Sequence, residues 1–140
     1  MFDFLKKKNK EKQNSSDETY VEVACLLIHA SKIDQNYTQN EKEIINKTLK
    51  SLGVEESNVP KIVSEAEKLE ADSNQILNFT RKVKDVEKEK KLIIIEALWK
   101  IIYSDNNSDM YESNLMRRLT GLLYLDPKDV GDLKKKILNN

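Results

Sequence analysis

Two long apolar segments constrain the fold of this chain more than any other feature. They cover residues 20–33 and residues 92–103, and each is apolar around nearly its whole circumference if helical. A helix of this kind is enclosed by other elements of the fold. The β-branched run at 92–95 also fits a buried strand, but the length of the segment and the i,i+4 pair of Glu96 and Lys100 favour a helix.

Few residues interrupt the helical patterns. The 140 residues include only 3 Gly and 2 Pro, which is too few for the many tight turns of an all-β protein. Amphipathic stretches predict further helices, one ending at Gly53 and one opened by Asp126-Pro127. We therefore predict an all-α protein of about seven helices. The first helix is expected to begin near Ser16 or Asp17, and a short fourth helix to carry the apolar residues between 76 and 83.

The two apolar segments also indicate an internal repeat. Sliding the sequence against itself by about 71 residues aligns apolar positions in the two halves, such as Leu27 with Leu98. We therefore predict two pseudo-symmetric helical repeats within one domain, preceded by a flexible basic tail. The expected boundaries are 1–16 for the tail, 17–140 for the domain, 17–71 for repeat one, 72–86 for the connector and 87–140 for repeat two.

A polar loop of the same design follows each apolar helix. The first loop begins at Asp34 and the second at Asp105, and a Glu stands seven residues after each Asp. That Glu occupies the third helical position of a capping box, in which side chain and backbone cap each other. The predicted boxes pair Thr38 with Glu41 and Asp109 with Glu112.

This combination resembles the bacterial TerB-like family of tellurite-resistance proteins, which includes the N-terminal domain of the membrane co-chaperone DjlA. The resemblance covers about residues 17–138 and implies the same all-α fold. One departure is that the family's Gly after the Asp is replaced by Gln35 and Asn106. The residues that carry the resemblance are His29-Ala30-Ser31-Lys32-Ile33-Asp34 with Glu41, Ile102-Tyr103-Ser104-Asp105 with Glu112, Phe79-Thr80-Arg81, and Glu96-Ala97-Leu98-Trp99-Lys100.

Carboxylates from the two loops form a candidate metal site. If the repeats pack around a pseudo-two-fold axis, the loops meet and offer oxygen ligands to Ca²⁺ or Mg²⁺. The segment 105–109 has the 1, 3, 5 spacing of an EF-hand, but Met110 and Met116 replace its Gly and its bidentate Glu. In the alternative interpretation, these acids only cap helices and brace loops. The candidate ligands are Asp34, Glu41, Asp105 and Glu112.

Cys25 and His29 are one helical turn apart and are the only cysteine and histidine in the chain. They could act as two metal ligands or as a nucleophile and its base, but a thiol in an apolar helix usually behaves as a small hydrophobe. We therefore favour core packing for both residues. An enzyme such as a hydrolase or a tellurite reductase is the weakest hypothesis, because a thiol pair or redox cofactor is not evident.

Charge is balanced overall but concentrated locally. The net charge of +0 gives no indication of nucleic-acid binding. Residues 1–12 contain five Lys against two acids, together with Phe2, Phe4 and Leu5. This segment fits either a solubilising tail or a weak contact with an anionic membrane surface. The acidic stretch 65–72 is expected to form a solvated helix face.

The expected location and function follow from these observations and from the resemblance. The sequence contains neither a secretory signal nor an apolar run of the roughly 18–20 residues that span a membrane. We expect a cytoplasmic protein, with peripheral contact at the inner membrane as the alternative. The resemblance implies a non-enzymatic stress-response or interaction module that acts through protein partners. The alternative is a membrane-proximal scaffold or co-chaperone accessory resembling the DjlA domain, although the J-domain signature His-Pro-Asp is absent.

Overall fold

Six α-helices and three short 3₁₀ turns make up the part of the chain that the structure describes. The computed structural model describes residues 2–33, 37–73, 75–104 and 110–139, with side chains described from residue 17 onward except 110–113. No strand occurs within these ranges, so the all-α prediction is confirmed. The helices are α1 (Phe2–Lys32), α2 (Gln39–Ser51), α3 (Val59–Asp72), α4 (Lys88–Tyr103), α5 (Met110–Leu122) and α6 (Pro127–Leu138), and the 3₁₀ turns are Glu56–Asn58, Ile76–Phe79 and Val83–Asp85.

The two apolar segments form the centre of the core, as their patterns predict. The C-terminal half of α1 and the whole of α4 pack against each other, while α3 covers α1 and α6 covers α4. Leu27 and Leu98 are fully buried at this centre. Trp99 is also buried, and its indole N–H donates to the carbonyl of Val130 at 3.0 Å, which joins α4 to α6.

The start of the first helix differs from the prediction. We expected α1 to begin near Ser16 or Asp17, but it extends back to Phe2. Residues 2–16 contain neither Gly nor Pro, and five of these fifteen residues are Lys, a good helix former. The helix therefore passes through the Ser and Asp that look like caps. The predicted flexibility of residues 1–16 and the predicted domain boundaries stay predictions.

The expected fourth helix is replaced by two 3₁₀ turns, so the described residues form six α-helices where we predicted about seven. The carboxylate of Glu22 on α1 explains part of the difference. Its Oε1 accepts the backbone N–H of Lys82 at 2.6 Å and that of Val83 at 3.3 Å. These two donors are therefore engaged by α1 and do not form the i→i−4 bonds that an α-helix needs. Burial raises the pKa of Glu22 above its ordinary value, while the two backbone bonds act to lower it.

The C-terminal turns of α2 and α5 have the same backbone design. Gly53 has a φ of 109° and Tyr124 a φ of 55°, so both lie in the left-handed region. A residue in this conformation ends a helix by turning the chain, so that the N–H groups that follow donate to the last carbonyls of the helix. In both turns an N–H donates to the carbonyl five residues earlier at 3.0 Å, from Val54 to Leu49 and from Leu125 to Thr120.

Each of these turns is also held by a side chain from a central helix. The hydroxyl of Tyr20 on α1 donates to the carbonyl of Leu52 at 3.1 Å. The ammonium of Lys91 on α4 donates to the carbonyl of Leu123 at 2.9 Å. The two contacts are related by the same offset as the sequence alignment. They are what a repeated unit would give, but the internal duplication stays a prediction.

Gly53 provides a test of the turn design. We expect Gly53→Ala to lower the free energy of unfolding by about 1–2 kcal/mol, because a left-handed φ is costly for a residue with a Cβ. An added Cβ would meet only the Tyr20 hydroxyl, at 3.6 Å, so the cost is conformational and not a clash. The matched control is Gly131→Ala inside α6, where a Cβ meets nothing and should stabilise the helix by about 0.5–1 kcal/mol. Denaturant unfolding measures the stability of both variants. Equal stability of Gly53→Ala and wild type would contradict the assignment of Gly53 as the left-handed residue that ends α2.

Candidate functional site

The first capping box forms as predicted at the start of α2. Thr38 stands at the N-cap, and its Oγ1 accepts the N–H of Glu41 at 3.5 Å. The carboxylate of Glu41 reaches back and accepts the N–H of Thr38 at 3.1 Å. Glu41 is only 1% exposed, so this carboxylate lies inside the protein. A buried charge is costly unless polar groups stabilise it. The polar neighbours of the Glu41 carboxylate therefore determine what this site can bind.

Glu41 also connects the start of α2 to the end of α4. The hydroxyl of Ser104 donates to Oε1 of Glu41 at 3.4 Å and to the carbonyl of Ile101 at 2.7 Å. Ser104 follows the last residue of α4 and is the last described residue before the second acidic loop. The Glu41 carboxylate is therefore placed beside Ser104, the residue that precedes the second acidic loop in the sequence.

The four predicted metal ligands are described only in part. Asp34 and Asp105 lie outside the described residues, as does the side chain of Glu112, although its backbone belongs to α5. The predicted second capping box between Asp109 and Glu112 lies outside them too. Within the part of the chain that the structure describes, no three His, Cys, Asp or Glu side chains are grouped to hold a metal ion. The four-residue site therefore stays a prediction.

Cys25 is a buried core thiol. Its Sγ donates to the carbonyl of Ala66 on α3 at 3.4 Å, and the side chain is 1% exposed. Burial, and after it the negative charges of Glu70 and Glu22, together raise the pKa of this thiol to about 12. A thiol with this pKa carries almost no thiolate at neutral pH, and the thiolate is the nucleophilic form.

This environment predicts low thiol reactivity. We expect Cys25 in the folded protein to react with a disulfide reagent at pH 8 about a thousand-fold more slowly than in denaturant, because so little thiolate forms. The absorbance of the thiolate that the reagent releases measures the rate in the folded protein and the rate in denaturant. Comparable rates in the two states would show that the thiol is accessible and ionised.

His29 belongs to a three-residue ionic cluster that the sequence analysis missed. Its Nδ1 is 3.3 Å from Oε1 of Glu70, whose Oε2 accepts from the ammonium of Lys32 at 2.8 Å. Glu70 is 7% exposed, so the prediction of a solvated acidic face over 65–72 is wrong at this position. A signal was present, because Ile62, Ala66 and Glu70 are spaced by four residues and share the buried face of α3.

The fold and these contacts define an all-α domain with a buried carboxylate that joins the start of its second helix to the end of its fourth. Comparison with protein families gives a match over residues 20–135 to the family described as tellurite resistance protein TerB. The chain therefore belongs to the TerB family, as the sequence motifs predict. No curated protein and no solved structure matches the chain. The relation to the DjlA domain stays a prediction.

Membrane association was a separate expectation. In the described part of the chain, no helix combines the length and apolar character that crossing a membrane requires. Peripheral contact through residues 1–12 is not tested by this finding.

Proposed function

We propose that this TerB-family chain is a non-enzymatic interaction module that holds one divalent cation, Ca²⁺ or Mg²⁺, between its two acidic loops. The ligands would come from Asp34, Glu41, Asp105 and Glu112. The observation that carries the proposal is the contact between the Glu41 carboxylate and Ser104, because it brings an acid of the first repeat to the start of the second loop.

The chemistry of these groups suits a hard cation. Carboxylate and loop carbonyl oxygens are the ligands that Ca²⁺ and Mg²⁺ prefer. Asp105 is the residue directly after Ser104 in the sequence, and it is the hydroxyl of Ser104 that contacts Glu41. A cation at this position would join the α1–α2 connection to the α4–α5 connection. Its role would be to fix the surface that the two loops present to a partner protein.

The state of the two most reactive side chains supports a non-enzymatic role. The Cys25 thiol donates to a backbone carbonyl, and its raised pKa keeps it protonated. The His29 imidazole faces Glu70 and packs its ring against Phe79 with centroids 5.8 Å apart. Both groups therefore contribute to packing between α1, α3 and the first turn of the connector. We further propose a bacterial cytoplasmic stress-response role, which the family description supports through tellurite resistance alone.

Isothermal titration calorimetry tests the cation directly. After chelator treatment, the full chain should bind one Ca²⁺ or Mg²⁺ per molecule, and Asp34→Asn/Asp105→Asn should lose the binding because two ligand charges are removed. The matched control is Asp85→Asn/Asp132→Asn, which removes the same charge at two exposed positions. Equal cation binding by the two double variants would contradict a site in the acidic loops. The absence of cation binding by wild type would contradict it as well.

A further inference from the structure

A groove runs between α1 and α3, and none of its lining residues comes from the two acidic loops. Its volume is about 620 Å³, and its walls come from the 17–22 segment of α1, from α3 and from the connector. The apolar part includes Val21, Ile62 and Phe79, which are buried, and Leu69, which is 52% exposed. Leu69 is one of the few large apolar side chains of the described residues that remain open to solvent. The groove therefore has an apolar floor with an accessible apolar wall.

The edge of this groove is acidic. Five carboxylates and two lysines line it. Lys82 is engaged by Glu18 in an ion pair, and Glu22 accepts two backbone N–H groups. The carboxylates of Asp17, Glu65 and Asp72 remain exposed. An occupant that fits such a groove is both apolar and positively charged, because charge complementarity guides binding at a polar edge.

One segment of this chain has that composition. Residues 1–12 carry five Lys against Asp3 and Glu11, and they also include Phe2, Phe4 and Leu5. This segment belongs to α1, the helix that forms one wall of the groove. A continuous α-helix rises 1.5 Å per residue, so Phe2 lies roughly 22 Å along the axis beyond Asp17. The helix carries the segment away from the groove of its own chain and makes the groove of a second copy its accessible target.

We propose that residues 2–12 of one chain dock in the α1–α3 groove of a second copy, and that the second copy returns the same contact. Because each chain places its segment in the groove of the other, the two identical contacts form a closed, two-fold dimer in which both grooves are filled. The apolar residues of the segment meet Leu69 and the floor, and its lysines meet the exposed carboxylates at the edge. This dimer does not depend on the acidic loops or on a cation.

Sedimentation velocity of the full chain tests the dimer. At about 50 mM salt the protein should show a concentration-dependent monomer–dimer equilibrium that shifts toward monomer at about 500 mM salt, because exposed charges are then screened. Leu69→Lys should weaken the dimer about ten-fold or more, because it removes an apolar contact and adds a like charge. The matched control is Leu138→Lys, since Leu138 is similarly exposed, at 55%, but lies on α6. Circular dichroism confirms that each variant is folded.

A charge exchange separates this proposal from its alternatives. The segment variant Lys6→Glu/Lys7→Glu/Lys8→Glu and the groove variant Glu65→Lys/Asp72→Lys should each be monomeric alone, because segment and groove then carry like charge. Mixed in equal amounts they should dimerise, because each segment now complements the groove of the other variant. Three results would overturn the proposal: a wild type that stays monomeric at about 0.5 mM protein and low salt; a dimer unaffected by these substitutions; and a monomer whose residues 1–12 bind anionic vesicles instead.

Discussion

Leu98→Ala is expected to lower the free energy of unfolding by about 2–5 kcal/mol, the usual cost of truncating a fully enclosed leucine. Leu98 is 0% exposed and lies on α4, where the helix meets α1, α2 and α6. Leu27→Ala should have a similar effect, because Leu27 is 0% exposed on α1 and aligns with Leu98 when the sequence is shifted by 71 residues. Both changes remove transfer free energy and leave a cavity that rigid neighbouring helices cannot fill.

Urea unfolding followed by circular dichroism measures these losses. Leu138→Ala is the control, because Leu138 is 55% exposed and its truncation should change stability by less than about 0.5 kcal/mol. If Leu27→Ala or Leu98→Ala cost no more than Leu138→Ala, the two apolar helices would not form the centre of the core.

Glu41→Ala is expected to lower the free energy of unfolding by about 1–3 kcal/mol, because two polar groups lose the buried carboxylate that accepts their hydrogen bonds. The N–H of Thr38 and the hydroxyl of Ser104 both donate to this carboxylate. Removing it therefore weakens the cap of α2 and its connection to the end of α4. The effect should be present in chelator-treated protein, since these contacts involve protein atoms alone.

Two variants control this prediction. Glu43→Ala changes an exposed Glu on the same helix and should alter stability by less than about 0.5 kcal/mol. Glu41→Gln keeps the shape and one acceptor oxygen, so it should lose less stability than Glu41→Ala. Equal free energies of unfolding for Glu41→Ala and Glu43→Ala would show that the contact between Glu41 and Ser104 does not contribute to stability.

The features that could be predicted from the sequence are those encoded by neighbouring residues. The apolar runs at 20–33 and 92–103 predict enclosed helices because no Gly or Pro interrupts them, and α1 and α4 occupy the core accordingly. The first capping box needs only Thr38 and Glu41, three positions apart, and both of its hydrogen bonds form. Local chemistry is sufficient for such features.

The features that were missed depend on distant residues or on competition between local signals. The cap signal at Ser16 and Asp17 competes with the helix-forming residues before it, and α1 continues through it. The 3₁₀ turns of the connector are stabilised by Glu22, which is about 60 residues away from Lys82 in the chain. No local pattern in the connector contains that information.

The candidate site combines both kinds of feature. The cap role of Glu41 could be predicted from spacing, but its contact with Ser104 arises only when α2 packs against α4. The buried position of Glu70 follows the spacing of Ile62 and Ala66, yet a run of acids looks like a solvated face until its partners His29 and Lys32 are placed.

The most direct test of a cation held between the two acidic loops is the thermal stability of chelator-treated protein as Ca²⁺ or Mg²⁺ is added. A cation that binds only the folded chain should stabilise it by about 2.7 kcal/mol at a hundred-fold excess over the dissociation constant. We predict a midpoint that rises with the logarithm of the cation concentration in wild type and stays constant in Asp34→Asn/Asp105→Asn. An unchanged wild-type midpoint at about 5 mM of either ion would contradict the proposal, because even weak protein sites for Ca²⁺ bind in the millimolar range.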